Sequence, residues 1–249
     1  MKFSFLTLFP ALIESYFTDS ILKRAIDNHL INVETINIRD YALDKYKKVD
    51  EPPISGGAGQ VIKADVLSRA LESVQDSHII FLSPCGKSFE SNDALRLSKK
   101  SHISFVCGRY EGFDERVIEA FADEIFSVGD FILTGGELPA LMLCDSISRF
   151  IDGVLGNADS LREESFESHL LEAPQFAKIS HNALYSAVPS VYLKGNHSRI
   201  ADLKKRLAIC KTKYFRPDLY QTYHNTSRRE IRRDQTERKD YEKSLYTKL

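Results

Sequence analysis

The residues in this chain with the means to do chemistry are carboxylates and arginines set beside glycine-rich loops. The densest case is Gly108-Arg109-Tyr110-Glu111-Gly112-Phe113-Asp114-Glu115-Arg116, which directly follows an apolar run. A strand-to-helix turn there exposes backbone N–H groups and puts Glu111 beside a crevice. Asp114 and Glu115 read more simply, as first-turn acids that favour the helix dipole. Gly56 to Gly59, Gly86, Gly129 and Gly135-Gly136 punctuate the same stretch, and eleven of the twelve glycines fall between Gly56 and Gly156. In open α/β sheets ligands bind outside the carboxyl ends of the strands, where glycines let them approach the backbone closely. An ordinary tight turn explains any one of these glycines, but several such loops in one domain point to a binding crevice.

Other chemistries lack their residues. The chain has no GxxxxGK[ST] and no GxGxxG; GGAGQV comes closest and fails at the last glycine. It has no GxSxG elbow. The seven histidines are scattered, with no HExxH and no pair three or four apart, so no zinc site is expected. Hydrolase and dehydrogenase readings lose their support. The cysteines at 85, 107, 144 and 210 form no CxxC and fit a reduced cytosol. Cys107 and Cys144 sit in apolar runs and read as small core residues.

Such loops need a scaffold. The 249 residues are 43% apolar and 28% charged, close to ordinary globular composition. At roughly 150 residues per domain, the length allows a real core and one or two domains. No run of 18 apolar residues occurs, so no transmembrane helix is expected. MKFSFLTLFP lacks a following cleavage site and reads as a first strand, Phe3 to Phe9, rather than a signal peptide. Helices are expected from Ile21 to Leu30, entered from Asp19 and Ser20, from Asp65 to Val74, and near Asn92 to Lys100. Ile31 to Ile38, Ile79 to Leu82 and Ile103 to Val106 have strand composition. Apolar runs buried on both faces and separated by helices predict a mostly parallel sheet in an α/β domain over 1–155. Leu138 to Ile151 reads as a strongly apolar helix near its end.

Residues 156–179 are polar, acidic and weakly periodic, and read as an interdomain linker or mobile active-site loop of about 20 residues. From about 180 the composition turns helical and basic. Residues 1–179 carry 18 Lys and Arg against 28 Asp and Glu, a net −10; residues 180–249 carry 16 against 7, a net +9. A basic segment on an acidic body suggests a polyanion partner. A solvated helix of mixed charge is the alternative, since RREIRRDQTERKDYEK carries acids at helical spacing.

LSPCGK, VCGRYEGFDERV, SVGDFILTGGELPA, DSISRFIDGVLG and GNH, in this order, closely resemble the bacterial tRNA (guanine-N1)-methyltransferases that modify position 37, next to the anticodon. LTLFP, VDEPPISGGAG and FRPDLY extend the likeness over most of the chain. Any one tripeptide is weak; CGRYEG followed by SVGDFILTGGELPA is specific. The resemblance implies a SPOUT-class α/β fold with a deep trefoil knot in a mostly parallel sheet, and a small all-helical, tRNA-gripping domain over 180–249. Periodicity shows no knot, and the default connection rules exclude one. It also implies S-adenosylmethionine as methyl donor, held bent in the knot, magnesium, and a cytoplasmic homodimer whose active site is shared between subunits.

The same resemblance implies residue roles. Leu82, Ser83 and Pro84 would line the cofactor pocket from one loop, and Gly108, Tyr110 and Glu111 from the next. Val128, Gly129, Asp130, Phe131, Ile132 and Leu133, with Gly135 and Gly136, would surround the adenine and ribose, and Pro139 would start the following helix. Backbone groups would read the adenine edge while apolar walls exclude water. Plain strand core is the alternative for Val128, Phe131 and Leu133. Glu111 is the carboxylate for magnesium, an ion that keeps several waters.

Guanine N1 carries a proton at neutral pH, so its methylation needs a general base. Charge gathering on O6 needs a cation. Arg149 matches the family's arginine at that step; a helix-surface pair with Asp145 is its alternative. The family has aspartate before Ser-Phe in the linker. Here Glu164 takes that place, one methylene longer, and a displacement near 1 Å can cost on the order of 100-fold. Glu163 and Asp159 are the alternative bases, and Ser160 matches a family serine. Glu172 replaces an aspartate near the cofactor's amino group, and Gln175-Phe176 replace His-Tyr. These substitutions favour a competing function, a silent RNA-binding protein on the same scaffold; the intact glycine loops and Arg149 favour the enzyme.

The target base must leave its stack to expose N1, which costs least in a single-stranded loop. Lys194, Arg199, Lys204, Lys205, Arg206, Lys211, Lys213 and Arg216 are the candidate phosphate contacts. Tyr214 and Phe215 lie among them. The core of the small helical domain is the favoured place for these two rings, and stacking on bases is the other. Lys45 to Pro53, KYKKVDEPP, is a second basic stretch near the crevice.

Overall fold

The computed structural model describes residues 1–156, 164–166, 168–177 and 188–226. The chain divides into two compact units, Met1–Ala158 and Asp159–Leu249. The first unit runs β1 (Lys2–Thr7), α1 (Pro10–Glu14), α2 (Ser20–Asp27), β2 (Asn32–Asn37), β3 (Asp50–Glu51), β4 (Val61–Ile62), α3 (Ala64–Glu72), β5 (His78–Ser88), α4 (Ser91–Leu97), β6 (His102–Val106), α5 (Glu115–Phe121), β7 (Glu124–Ser127) and α6 (Glu137–Ser148). Five strands form one sheet in the order β2-β1-β6-β5-β7, with every pairing parallel. Strands β3 and β4 make a separate antiparallel pair.

Alternation along β1 explains the two-sided core. Phe3 and Phe5 point to one face, where they meet Phe105 and the helices α1, α2, α4 and α6. Leu6 points to the other, with Phe81, Val106 and the apolar faces of α3 and α5. A strand buried on both sides is mostly apolar, which makes these runs readable as parallel strands; the hydroxyls of the buried exceptions, Ser4, Thr7 and Ser104, have partners in His102, Glu137 and Ser77. Cys107 and Cys144 are fully buried in the first cluster, as expected.

Element ends follow local chemistry. The Asp19 side chain accepts the Ser20 N–H and starts α2, which stops three residues before Leu30 as His29 turns left-handed. Helix α6 starts one residue before Leu138 and stops three residues before Ile151. Strand β7 escaped the sequence reading because only Ile125 and Phe126 are apolar in it. Strand β5 runs past the expected stop at Leu82 to Ser88, but not as one ladder: Leu82 and Lys87 both face Phe126, so 83–86 bulge outward. Pro84, which has no N–H for the ladder, sits inside that bulge. Gly86 brings the strand back against β7 so closely that a Cβ would stand 2.7 Å from the Ile125 and Phe126 backbone.

In the second unit, α7 (His197–Phe215) begins where the Asn196 side chain accepts the Arg199 N–H. A further helical stretch covers 217–226. Thr212 is fully buried; its hydroxyl donates to the Ala208 carbonyl and accepts the Leu171 N–H at 2.8 Å. Tyr214 and Phe215 are 80% and 65% exposed, against the expectation that they fill a helical core. They close α7 just before it breaks at Arg216, and their rings lean edge-on against each other with centroids 4.8 Å apart.

Gly86→Ala should force β5 and β7 apart and cost about 1–3 kcal/mol, the usual penalty for inserted volume. Urea unfolding followed by circular dichroism measures it; an unchanged midpoint would mean that the bulge relaxes freely.

Candidate active site

The looped-out stretch of β5 and the loops leaving the carboxyl ends of β6 and β7 surround a cleft of about 350 Å³. That is within the usual size of a small-molecule site. Leu82, Ser83 and Pro84 line it from the first loop, Gly108, Tyr110 and Glu111 from the second, and Val128, Gly129, Phe131, Ile132, Leu133, Gly135, Gly136 and Pro139 from the third. Asp130 is exposed beside these residues without lining the cleft. Plain core does not describe the third loop, since Phe131 is 55% exposed and Leu133 38%. Glu172 belongs to the second unit.

The sequence reading overlooked what holds these loops together. Glu137, on the first turn of α6, is almost fully buried. Its Oε1 accepts from the Thr7 hydroxyl at 2.7 Å and from Arg109 Nε at 3.2 Å. Its Oε2 lies 2.9 Å from Arg109 Nη2, an ion contact off the hydrogen-bond line. Arg109 Nη1 donates to the Thr134 carbonyl, and the guanidinium lies 4.4 Å over the exposed Phe9 ring. The Gly136 N–H donates to the Gly108 carbonyl at 2.8 Å. One buried carboxylate thus joins the end of β1 to the loops after β6 and β7. The signal was present as one arginine inside GRYEG and one acid inside GGELP, but neither spacing says that they meet.

These contacts explain several glycines. A Cβ on Gly136 would stand 2.8 Å from the Gly108 nitrogen, and one on Gly135 would run into Arg109 and Glu137. Gly59, left-handed at φ +98°, has the Glu111 side chain lying on it. The GGAG stretch is therefore a seat for Glu111, tied by the Glu111 N–H to the Gln60 carbonyl. Tyr110 is itself left-handed at φ +58°, a strained state for a bulky residue. Burial, then a hydrogen bond with Asp50, raises its hydroxyl above the ordinary phenol range. Burial, reinforced by the Glu137 charge, pushes the Cys107 thiol far up, so it is no nucleophile at neutral pH.

Arg149 caps the C-terminus of α6 and lines a second cleft of about 390 Å³ with Tyr16, Leu138, Leu141, Met142, Asp145 and Ser146. Its backbone N–H bonds the Asp145 carbonyl. The Asp145 carboxylate accepts the Tyr16 hydroxyl at 2.5 Å, which, with burial, pushes that phenol up to about 12.

In the second unit Glu164 is half-buried. The segment after it folds back on itself, with the Glu172 N–H bonded to Ser165 Oγ and the Phe166 N–H to the Leu170 carbonyl. Lys211 Nζ donates to the Glu172 carbonyl, and the Glu172 side chain accepts from Gln175. Asp159, Ser160 and Glu163 lie outside the described residues.

Residues 1–222 match the family described as tRNA (Guanine-1)-methyltransferase TrmD. The chain belongs to this family. A tRNA (guanine-N(1)-)-methyltransferase of Helicobacter hepaticus is 75% identical over 224 residues, covering 90% of this chain and 94% of that protein. Proteins of the same name from Sulfurimonas denitrificans and Campylobacter jejuni are 58% and 57% identical, each covering 88% of this chain and 96% and 97% of their own. The matched span takes in the three-loop cleft, Arg149 and Glu164, so family membership bears on the whole candidate site.

Arg109→Met leaves the Glu137 charge buried and unpaired, and should lower stability by about 3–5 kcal/mol, the cost of breaking a buried pair. Arg109→Met combined with Glu137→Gln should recover much of that loss. Equal midpoints for the parent and the single variant in urea unfolding would show that the pair does not organise the loops.

Proposed function

We propose that this chain transfers the methyl group of S-adenosylmethionine to N1 of the guanosine at tRNA position 37. The observation that carries the reading is the three-loop cleft at the strand ends in a member of a guanine-1 methyltransferase family. The cleft suits the donor chemically. It is large enough for a bent nucleoside, its walls include Leu82, Val128, Ile132 and Leu133, and its loops bring glycines and their backbone groups to the surface beside the charged Arg109, Glu111 and Glu115. A deep trefoil knot, with the 128–136 loop and α6 threaded past the 108–113 loop, is the topology we assign to this region. The seating of Gly136 on Gly108 supports it.

S-adenosylmethionine supplies a methyl group on a sulfonium, an electrophile that needs no further activation. The protein's task is to free the N1 lone pair. Glu164 takes the N1 proton as general base. Arg149 faces O6 and stabilises the charge that gathers there as the proton leaves. The lone pair then forms the N1–C bond, and the S–C electron pair returns to sulfur. Glu164 and Arg149 stand in different units, and we assign a homodimer in which the active site is shared between subunits. Leu12, Tyr16, Leu138 and Met142, on and beside α1 and α6, are each 45–55% exposed, which supports an apolar self-contact at the second cleft.

Among the described residues no three metal-ligating side chains stand together. Glu111 would offer one carboxylate to a magnesium ion otherwise held by waters and substrate oxygens, and no step is assigned to it. The helical segment from Lys194 onward, with its exposed lysines and arginines, is the proposed grip on tRNA phosphates. No helix among the described residues is long and apolar enough to cross a membrane, and we place the enzyme in the cytoplasm.

Labelled S-adenosylmethionine with two tRNA transcripts, differing only in guanosine or adenosine at position 37, tests the reading. Label should enter the guanosine transcript alone. Label in neither, with the donor still bound, would point to a silent RNA-binding protein. Glu164→Gln and Arg149→Ala should each lose at least about 100-fold in transfer, the low end for a removed acid–base or charge-stabilising group, while donor affinity holds. Full activity in either variant would remove that residue from the chemistry.

A further inference from the structure

We propose that the 43–48 loop is a stacking contact for an unpaired nucleotide beside the target guanine, with the Tyr46 ring as the platform and Lys45 and Lys48 as phosphate contacts. This rests on the tRNA reading above and adds a surface on the first unit to it.

The loop is an exposed projection with buried ends. Ala42 and Val49 are 3% and 1% exposed and belong to the second core cluster, while every residue from 43 to 48 is exposed. The projection is held in shape. The Asp44 carboxylate accepts the backbone N–H groups of Tyr46 and Lys48 at 2.9 and 3.0 Å. Lys47 is left-handed, its carbonyl accepts from Arg39, and its Nζ donates to the Asp40 carbonyl. Lys47 is therefore used within the loop, and Lys45, Tyr46 and Lys48 are what it presents to a partner.

Folding does not account for the ring. Tyr46 is 85% exposed, and Leu43 beside the same turn is 83% exposed. An aromatic side chain fixed in water between lysines has the composition of a single-strand contact: a π face for any base, with cations for the flanking phosphates. A duplex offers no free base face, so the surface selects unpaired RNA. The loop is also continuous with the cleft. Two residues after Lys48, Asp50 pairs with Ile62 across β3 and β4, and the Ile62 N–H donates to the carbonyl of Gly112, which lines the cleft. The four residues from Tyr46 to Asp50 span at most about 14 Å, which places the ring within reach of a near neighbour of a base held at the cleft.

The test is binding of a tRNA anticodon stem-loop, and of a fully paired duplex of equal length, to full-length parent, Tyr46→Ala and Tyr46→Phe proteins. Tyr46→Ala should weaken stem-loop binding about 5- to 100-fold, the span of base–aromatic stacking, and leave duplex binding alone. Tyr46→Phe should bind like the parent. In turnover the loss should appear in KM for tRNA, with kcat and donor affinity unchanged. Lys45→Gln and Lys48→Gln should each lower the slope of log affinity against log salt by about one. Parent-like stem-loop binding by Tyr46→Ala, or equal loss for stem-loop and duplex, would overturn the proposal. Because binding is read apart from methyl transfer, an inactive parent that still showed the Tyr46 effect would refute the proposed reaction and keep this contact.

Discussion

The Glu137 carboxylate, buried under α6 and shared between Thr7 and Arg109, is the constraint on which the cleft depends. A buried ion pair adds little stability over an apolar substitute, but it tolerates very few arrangements of its partners. Here the partners come from three separated stretches: the end of β1, the loop after β6 and the start of α6. Satisfying one acid therefore sets the spacing between loops that no ladder hydrogen bond controls. The glycines at 135 and 136 follow from this. With Arg109, Glu137 and the 107–108 backbone so close, there is no room for a Cβ at Gly135 or Gly136.

The bulge in β5 answers the same problem from the other side of the cleft. A regular strand would carry Leu82 to Ser88 straight along β7 and leave nothing facing the crevice. Looping out 83–86, with Gly86 pressed on the β7 backbone, keeps the sheet intact and turns Ser83 and Pro84 toward the loops of β6 and β7. The sheet supplies rigidity, and the irregular residues at its carboxyl edge supply the recognition surface. Within the bulge the Ser83 hydroxyl meets Cys85 Sγ at 3.1 Å and accepts the Cys85 N–H, so the turn is held by its own short contacts.

Much of this was legible in the sequence because burial on both faces of a parallel sheet leaves predominantly apolar runs, and Phe3 to Leu6, Ile79 to Leu82 and Ile103 to Val106 are such runs, the first and last each interrupted by one buried serine. The glycine positions marked the cleft for a similar reason, since close backbone approach has few other residues to use. What escaped had no periodic signature. Strand β7 is short with two apolar residues, and Arg109 with Glu137 are 28 positions apart and meet only through the fold. Tyr214 and Phe215 differ from expectation because aromatic rings in a small helical domain read as core whether or not anything covers them, and here they are exposed at the end of a helix.

Glu164 shows where such reading stops being about the fold. One methylene more than aspartate moves a carboxylate by an amount that matters to proton transfer but not to packing. The segment that follows it is tied down by Ser165 on the Glu172 N–H, by Thr212 on the Leu171 N–H and by Lys211 on the Glu172 carbonyl. By the family resemblance Glu172 carries the same extra methylene at the other end of that segment. Two lengthened acids on one clamped stretch are compatible with unchanged reach if the backbone between them sits correspondingly further back. On the proposed reading of Glu164 as the base, the two glutamates compensate together, and Glu164→Asp alone would shorten the base without moving the backbone that carries it.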